Sequence, residues 1–161
     1  MSLIVVATDG SPAARAALDE AIRLAQATGD TVAVLAVWRA LQGDFGLPYP
    51  SAALLGELLD AEHAYAERML AEARERALAA GVEVETVLQA GDPAERICAF
   101  AEEREARLIA VGTHGYRPAL ALLTGSVSTA VIRRAPCPVL VVREPEAEAV
   151  SAASDRLAAN G

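Results

Sequence analysis

The 161-residue chain contains no lysine, and all 14 of its basic residues are arginines. A nucleotide loop of the Walker type needs a lysine on the phosphates, and Schiff-base catalysis needs a lysine amine, so both chemistries are excluded. Aromatic residues make up 4% of a chain that is 53% hydrophobic, which leaves Ala, Val, Leu and Ile to build the core. That is the composition of a parallel sheet buried on both faces. No apolar run approaches the roughly 18 to 20 residues of a membrane span, and Met1-Ser2-Leu3-Ile4 has no basic region ahead of its short apolar run. A cytoplasmic protein without a membrane partner is expected. The formal charge of −8 argues against nucleic acid as a partner, since no basic patch is present to meet phosphates. Cysteine is scarce too: Cys98 and Cys137 fall on an expected buried helix face and at a strand entry, where they read as small core residues rather than a disulfide. His63 and His114 are isolated, so no metal site is expected from the protein alone.

What the chain does have is regular alternation. Leu3 to Ala7 is a short apolar run that stops at Thr8-Asp9-Gly10-Ser11-Pro12, the pattern of a central strand followed by a turn. Ser11 is a good N-cap and Pro12 a good first helical residue, and Ala14, Ala17, Leu18, Ala21, Ile22 and Ala25 recur at helical spacing until Gly29. Thr31 to Val37 reads as a second strand, and Trp38 to Ser51 as a long irregular loop rich in glycine and proline. A long amphipathic helix from about Ala52 to Ala80 is closed by Gly81. Glu83 and Glu85 alternating with Val82, Val84 and Val87 mark a strand with one polar face or an edge position. Asp92, Pro93 and Glu95 open a helix that should end near Ala106. Leu108 to Val111 is the next buried strand, Val127 to Arg134 a short helix, and Pro138 to Arg143 the last strand. Strands and helices in strict alternation imply a doubly wound parallel α/β sheet with helices on both faces. In such sheets ligands bind beyond the carboxyl ends of the strands, where the strand order reverses. Residues 1–143 are expected to form the domain and residues 144–161, rich in Ala, Glu and Ser, a flexible tail.

Two strand ends are polar and glycine-bearing. The fourth strand runs into Gly112-Thr113-His114-Gly115 and, nine residues later, Gly125-Ser126-Val127-Ser128 at the start of a helix. Glycines at a strand-to-helix junction let backbone N–H groups close on an anion, and a helix N-terminus favours negative charge there. With no lysine available, any phosphate must be held by N–H groups, hydroxyls and, where present, a metal ion.

Taken together, Ile4-Val5-Val6-Ala7-Thr8-Asp9-Gly10-Ser11, the block Gly91-Asp92-Pro93, the strand Leu108-Ile109-Ala110-Val111, the spacing G-x2-G-x9-G-S and the closing Ala135-Pro136-Cys137-Pro138-Val139-Leu140-Val141-Val142 resemble the nucleotide-binding branch of the universal stress protein family. The resemblance covers about residues 2–143. It implies a five-stranded sheet of order 3-2-1-4-5 and ATP, or a close adenine nucleotide, across strands 1 and 4, with Mg or Mn held mainly by the phosphates. Carried over by motif, Ala7, Thr8 and Asp9 would face adenine and ribose, Val37 would pack on the base, and Val111 and Gly112 would border the ribose. The groups around Gly115, Gly125, Ser126, Val127 and Ser128 would hold the phosphates. Directly after the second glycine, where members often carry Arg or Lys, this chain has Tyr116 and then Arg117. The resemblance also implies a homodimer along Pro138 to Val142, an apolar strand that the expected order places at a sheet edge.

Each of these features has a plainer reading. Asp9 can serve as a turn residue capping local N–H groups, the glycines as tight turns and helix packing, and His114 as a loop histidine. The expected function is a stress-response or regulatory protein that binds ATP and hydrolyses it slowly at most. The alternatives are a nucleotide-free homodimeric interaction module and an enzyme of a related α/β class that transfers or hydrolyses a nucleotidyl group. Neither a general base nor a nucleophile stands out in the sequence, and no catalytic residue is assigned.

Overall fold

The computed structural model describes residues 1–38, 51–113 and 126–144. Within them the chain alternates β1 (Leu3–Thr8), α1 (Pro12–Thr28), β2 (Thr31–Trp38), α2 (Ala52–Ala79), β3 (Val84–Ala90), α3 (Pro93–Glu103), β4 (Leu108–Gly112), α4 (Ser126–Arg134) and β5 (Val139–Val142). The strands form one parallel sheet of order β3-β2-β1-β4-β5, as the family resemblance implied.

The alternation of side chains along the central strand decides which helices lie where. Ile4 and Val6 point to one face, where Val32, Val34 and Ala36 join them under α1 and α2. Val5 points to the other, where Ala33, Leu35, Ile109 and Val111 meet α3 and α4. Both faces of β1 are therefore dry, and its uninterrupted apolar run is the consequence. Alanines line the buried stripe of α1 at positions 13, 14, 17, 21 and 25, which lets the helix axis approach the sheet closely.

Helix ends follow their capping residues. The Ser11 side chain accepts from the Ala14 N–H at 3.2 Å ahead of Pro12, and Gly29, left-handed at φ 72°, returns its N–H to the Ala25 carbonyl. Gly81, left-handed at φ 74°, follows α2 and donates its N–H to the Leu78 carbonyl at 2.9 Å. The third helix departs from the sequence reading. It ends at Glu103 rather than near Ala106 because Glu105 takes a left-handed φ of 49° and the Ala106 N–H reaches back to the Ala101 carbonyl at 2.8 Å. This is a Schellman closure built without glycine, and Ala106 is buried in the α3/α4 core. Trp38, assigned from sequence to the loop, completes β2 opposite Ala90, and Ser51 caps α2 by accepting from the Leu54 N–H. The rest of that loop and the tail beyond Glu144 lie outside the described residues.

Both cysteines are free thiols. Cys98 is buried on α3 and Cys137 packs against the same cluster, and burial pushes both thiols up from their ordinary value of 9.0.

Candidate functional site

The sheet opens at the carboxyl ends of its two central strands. β1 pairs with β4 only through Ile4–Leu108, Val5–Ile109 and Val6–Ala110. Beyond that point β1 continues to Thr8 along β2, while β4 continues to Gly112 along β5. The two strands thus part company before they end. This is the switch point at which an open α/β sheet leaves a crevice.

On the β1 side, Ala7 and Thr8 are half-buried and Asp9 is exposed. The turn that follows is fixed by its own side chains: the Gly10 N–H donates to Thr8 Oγ1 at 3.2 Å and the Ser11 N–H to Asp9 Oδ1 at 2.9 Å. Asp9 therefore does cap a local N–H, as its plainer reading required, through one carboxylate oxygen. Gly10 has φ +78°, and a Cβ there would stand 2.6 Å from Tyr65 Oη and 2.8 Å from Met69 Sδ. The glycine is needed both for the turn and for the close pass of α2. This contact joins residues far apart in the chain, so no local pattern marks it.

On the β4 side, Val111 is buried in the α3/α4 core, so only its backbone borders the crevice. A Cβ on Gly112 would lie 2.6 Å from the Ala13 carbonyl carbon and 2.8 Å from the Ala14 nitrogen. Gly112 is thus the contact through which the end of β4 rests on the first turn of α1, which holds the two polar strand ends side by side. Thr113 is buried and donates its N–H to the Val142 carbonyl at 2.9 Å. Ser126, Val127 and Ser128 open α4, exposed, half-buried and buried in turn. Val37 sits half-buried near the end of β2, opposite Gln89. Gly115 and Gly125, with His114, lie outside the described residues.

The structure therefore brings the Thr8–Ser11 turn and Gly112 together, with Val37 one strand away. A model of the universal stress protein family matches residues 1–143. The chain belongs to the universal stress protein family. Universal stress protein MJ0531 of Methanocaldococcus jannaschii is 37% identical over 147 residues, covering 90% of this chain and 84% of that protein. Among solved universal stress proteins, UspA from Lactobacillus plantarum superposes with a TM-score of 0.76 at 30% identity, over 88% of this chain and 97% of its own. A universal stress protein in complex with cAMP gives a TM-score of 0.65 at 28% identity, over 89% and 98%. The protein from Archaeoglobus fulgidus in complex with dAMP gives 0.63 at 27%, over 88% and 97%. No helix among the described residues is long and apolar enough to cross a membrane.

Proposed function

We propose that this universal stress protein binds ATP in the crevice between β1 and β4 as a regulatory ligand, hydrolysing it slowly at most. The observation that carries the reading is the early parting of those two strands beside a turn of hydroxyls, N–H groups and one exposed carboxylate. Family structures that hold cAMP and dAMP support an adenine nucleotide as the occupant. In this reading Ala7, Thr8 and Asp9 face adenine and ribose, Val37 packs on the base, and Val111 and Gly112 border the sugar. Gly115, Gly125, Ser126, Val127 and Ser128 hold the phosphates with N–H and hydroxyl groups, which suits a chain without lysine. Mg or Mn supplies charge neutralisation through the phosphates when bound.

Asp9 carries one of its oxygens toward Ser11 and keeps the second for a ribose hydroxyl. Its replacement by alanine is expected to weaken ATP binding roughly ten- to a hundredfold, the worth of a hydrogen bond to a charged group. Isothermal titration calorimetry with ATP measures it, and an unchanged affinity returns Asp9 to turn capping alone.

The same reading makes the protein a cytoplasmic homodimer. β5 stands at the sheet edge with each of Val139 to Val142 half-buried, so its outer ladder and side chains are available to a second copy about a twofold axis. Sedimentation of the wild type should give a dimer, and Val141→Pro, which removes a ladder donor, should shift it to monomer. A wild-type monomer at high micromolar concentration sinks this part of the proposal.

A further inference from the structure

α1 and α2 lie on the same face of the sheet and leave between them a cavity of about 260 Å3. Leu18, Met69 and Ala73 give it apolar walls, and Thr8, Gly10 and Tyr65 close it toward the β1 turn. Arg15, Arg68, Arg76 and Glu72 complete the lining. These guanidinium groups are not equivalent. Asp19 takes Arg76 through both of its carboxylate oxygens, and Glu72 lies 3.9 Å from Arg15. Arg68 forms no ion pair with another described residue. Arg68, exposed and without an ion pair among the described residues, thus stands beside an open, partly apolar groove.

We propose that this groove is a second ligand site, which meets the proposed nucleotide site at Thr8 and takes a small carboxylate with an aromatic or branched body. A guanidinium fork matches a carboxylate with two parallel hydrogen bonds, which gives Arg68 its role. A thioether and a phenol ring beside Leu18 and Ala73 favour a flat apolar body. The size sets the ligand class, since the volume falls below the roughly 300 to 1,000 Å3 of clefts for drug-sized molecules. One negative charge is what the lining can neutralise, because Arg15 and Arg76 already face carboxylates.

The chain offers its own reporter, because its two methionines are Met1, at the exposed terminus, and Met69, in the cavity wall. With methionine methyl groups labelled with carbon-13, benzoate is expected to shift the Met69 resonance saturably and leave Met1 in place. Benzyl alcohol, of similar shape without charge, and Arg68→Gln with benzoate should each bind roughly ten- to a hundredfold more weakly. Ala73→Leu, which fills the cavity, should abolish the shift while the circular dichroism spectrum stays that of the wild type. Inorganic phosphate, an anion without an apolar body, should leave Met69 unmoved. An unresponsive Met69, or benzoate and benzyl alcohol binding equally with no effect of Arg68→Gln, overturns the proposal. None of these readouts involves a nucleotide, so the site stands or falls apart from ATP binding.

Discussion

The two ends of the sheet each carry an aspartate at a strand junction, and the two carboxylates are handled in opposite ways. At the amino end Asp30 is 7% exposed and saturated by the protein: it accepts from the Ser2 N–H at 2.8 Å and the Thr28 hydroxyl at 2.7 Å and lies 2.8 Å from Arg107. Those partners come from the start of β1, the end of α1 and the entry to β4. At the carboxyl end Asp9 is exposed and makes a hydrogen bond within its own turn. A carboxylate whose lone pairs are taken up by three separate segments works as a staple, and one bonded only within its own turn ties nothing distant together. The amino end of the sheet is thus tied together by its aspartate, and the carboxyl end, where the nucleotide site is proposed, is not.

Breaking the staple should have the largest effect. Asp30→Ala removes two hydrogen bonds to a charged group, from the Ser2 N–H and the Thr28 hydroxyl, and a loss of about 3 kcal/mol is expected. For a domain of this size that is a fall of roughly 10 °C in Tm, readable by calorimetry. The ion pair contributes little of it, because the Arg107 side chain is 44% exposed and screened by water.

Crowding the crevice end ranks second. Gly112→Val puts branched atoms where even a Cβ meets the α1 backbone at 2.6 Å, so α1 must shift or β4 must bend. A cost of about 1 to 3 kcal/mol is expected from such overpacking. Denaturant unfolding measures it, and a neutral outcome would mean that the first turn of α1 is free to move.

The Asp30 carboxyl also makes the amino end sensitive to pH. The Thr28 hydroxyl, the Ser2 N–H and Arg107 hold it below its ordinary value of 3.8 against the opposing effect of burial. The unfolded chain therefore takes up this proton first as the solution is acidified. The staple's electrostatic contribution is complete well above pH 3.8 and is lost as the pH falls through the lower folded value. Asp30→Asn should flatten that part of the stability profile. Asp9→Ala is the smallest of the stability changes, at about 1 kcal/mol, since it removes a single part-buried hydrogen bond within one turn. An Asp9→Ala loss as large as that of Asp30→Ala would erase the distinction between the two ends.

Much of this fold was legible in the residues. Runs such as Leu3 to Ala7 can only be strands buried on both faces, and Ser11-Pro12 and Asp92-Pro93 announce helix starts that the structure keeps. The sheet order came from family resemblance, since alternation alone leaves it open. The end of α3 was illegible because a glutamate occupies the left-handed position that glycine usually marks. At the site, Asp9 and Gly112 were found by their place after strand ends. That Gly112 is demanded by Ala13 and Ala14, and Gly10 by Tyr65 and Met69, depends on contacts across long stretches of sequence that no local pattern encodes.

The sheet order has a consequence for the chain as it is made. β1 leaves the ribosome first yet ends in the middle of the sheet, and its neighbours arrive at very different times: β2 from residue 31, β4 only from residue 108. α1, β2, α2 and β3 can settle on one side of β1 while its other ladder edge, along Ile4, Val5 and Val6, still lacks a partner. During that interval an apolar parallel edge is exposed, and parallel pairing over so long a span is slow to form. The nascent half-sheet therefore carries an open apolar edge, and its exposure ends only when β4 docks and the crevice between β1 and β4 comes into being.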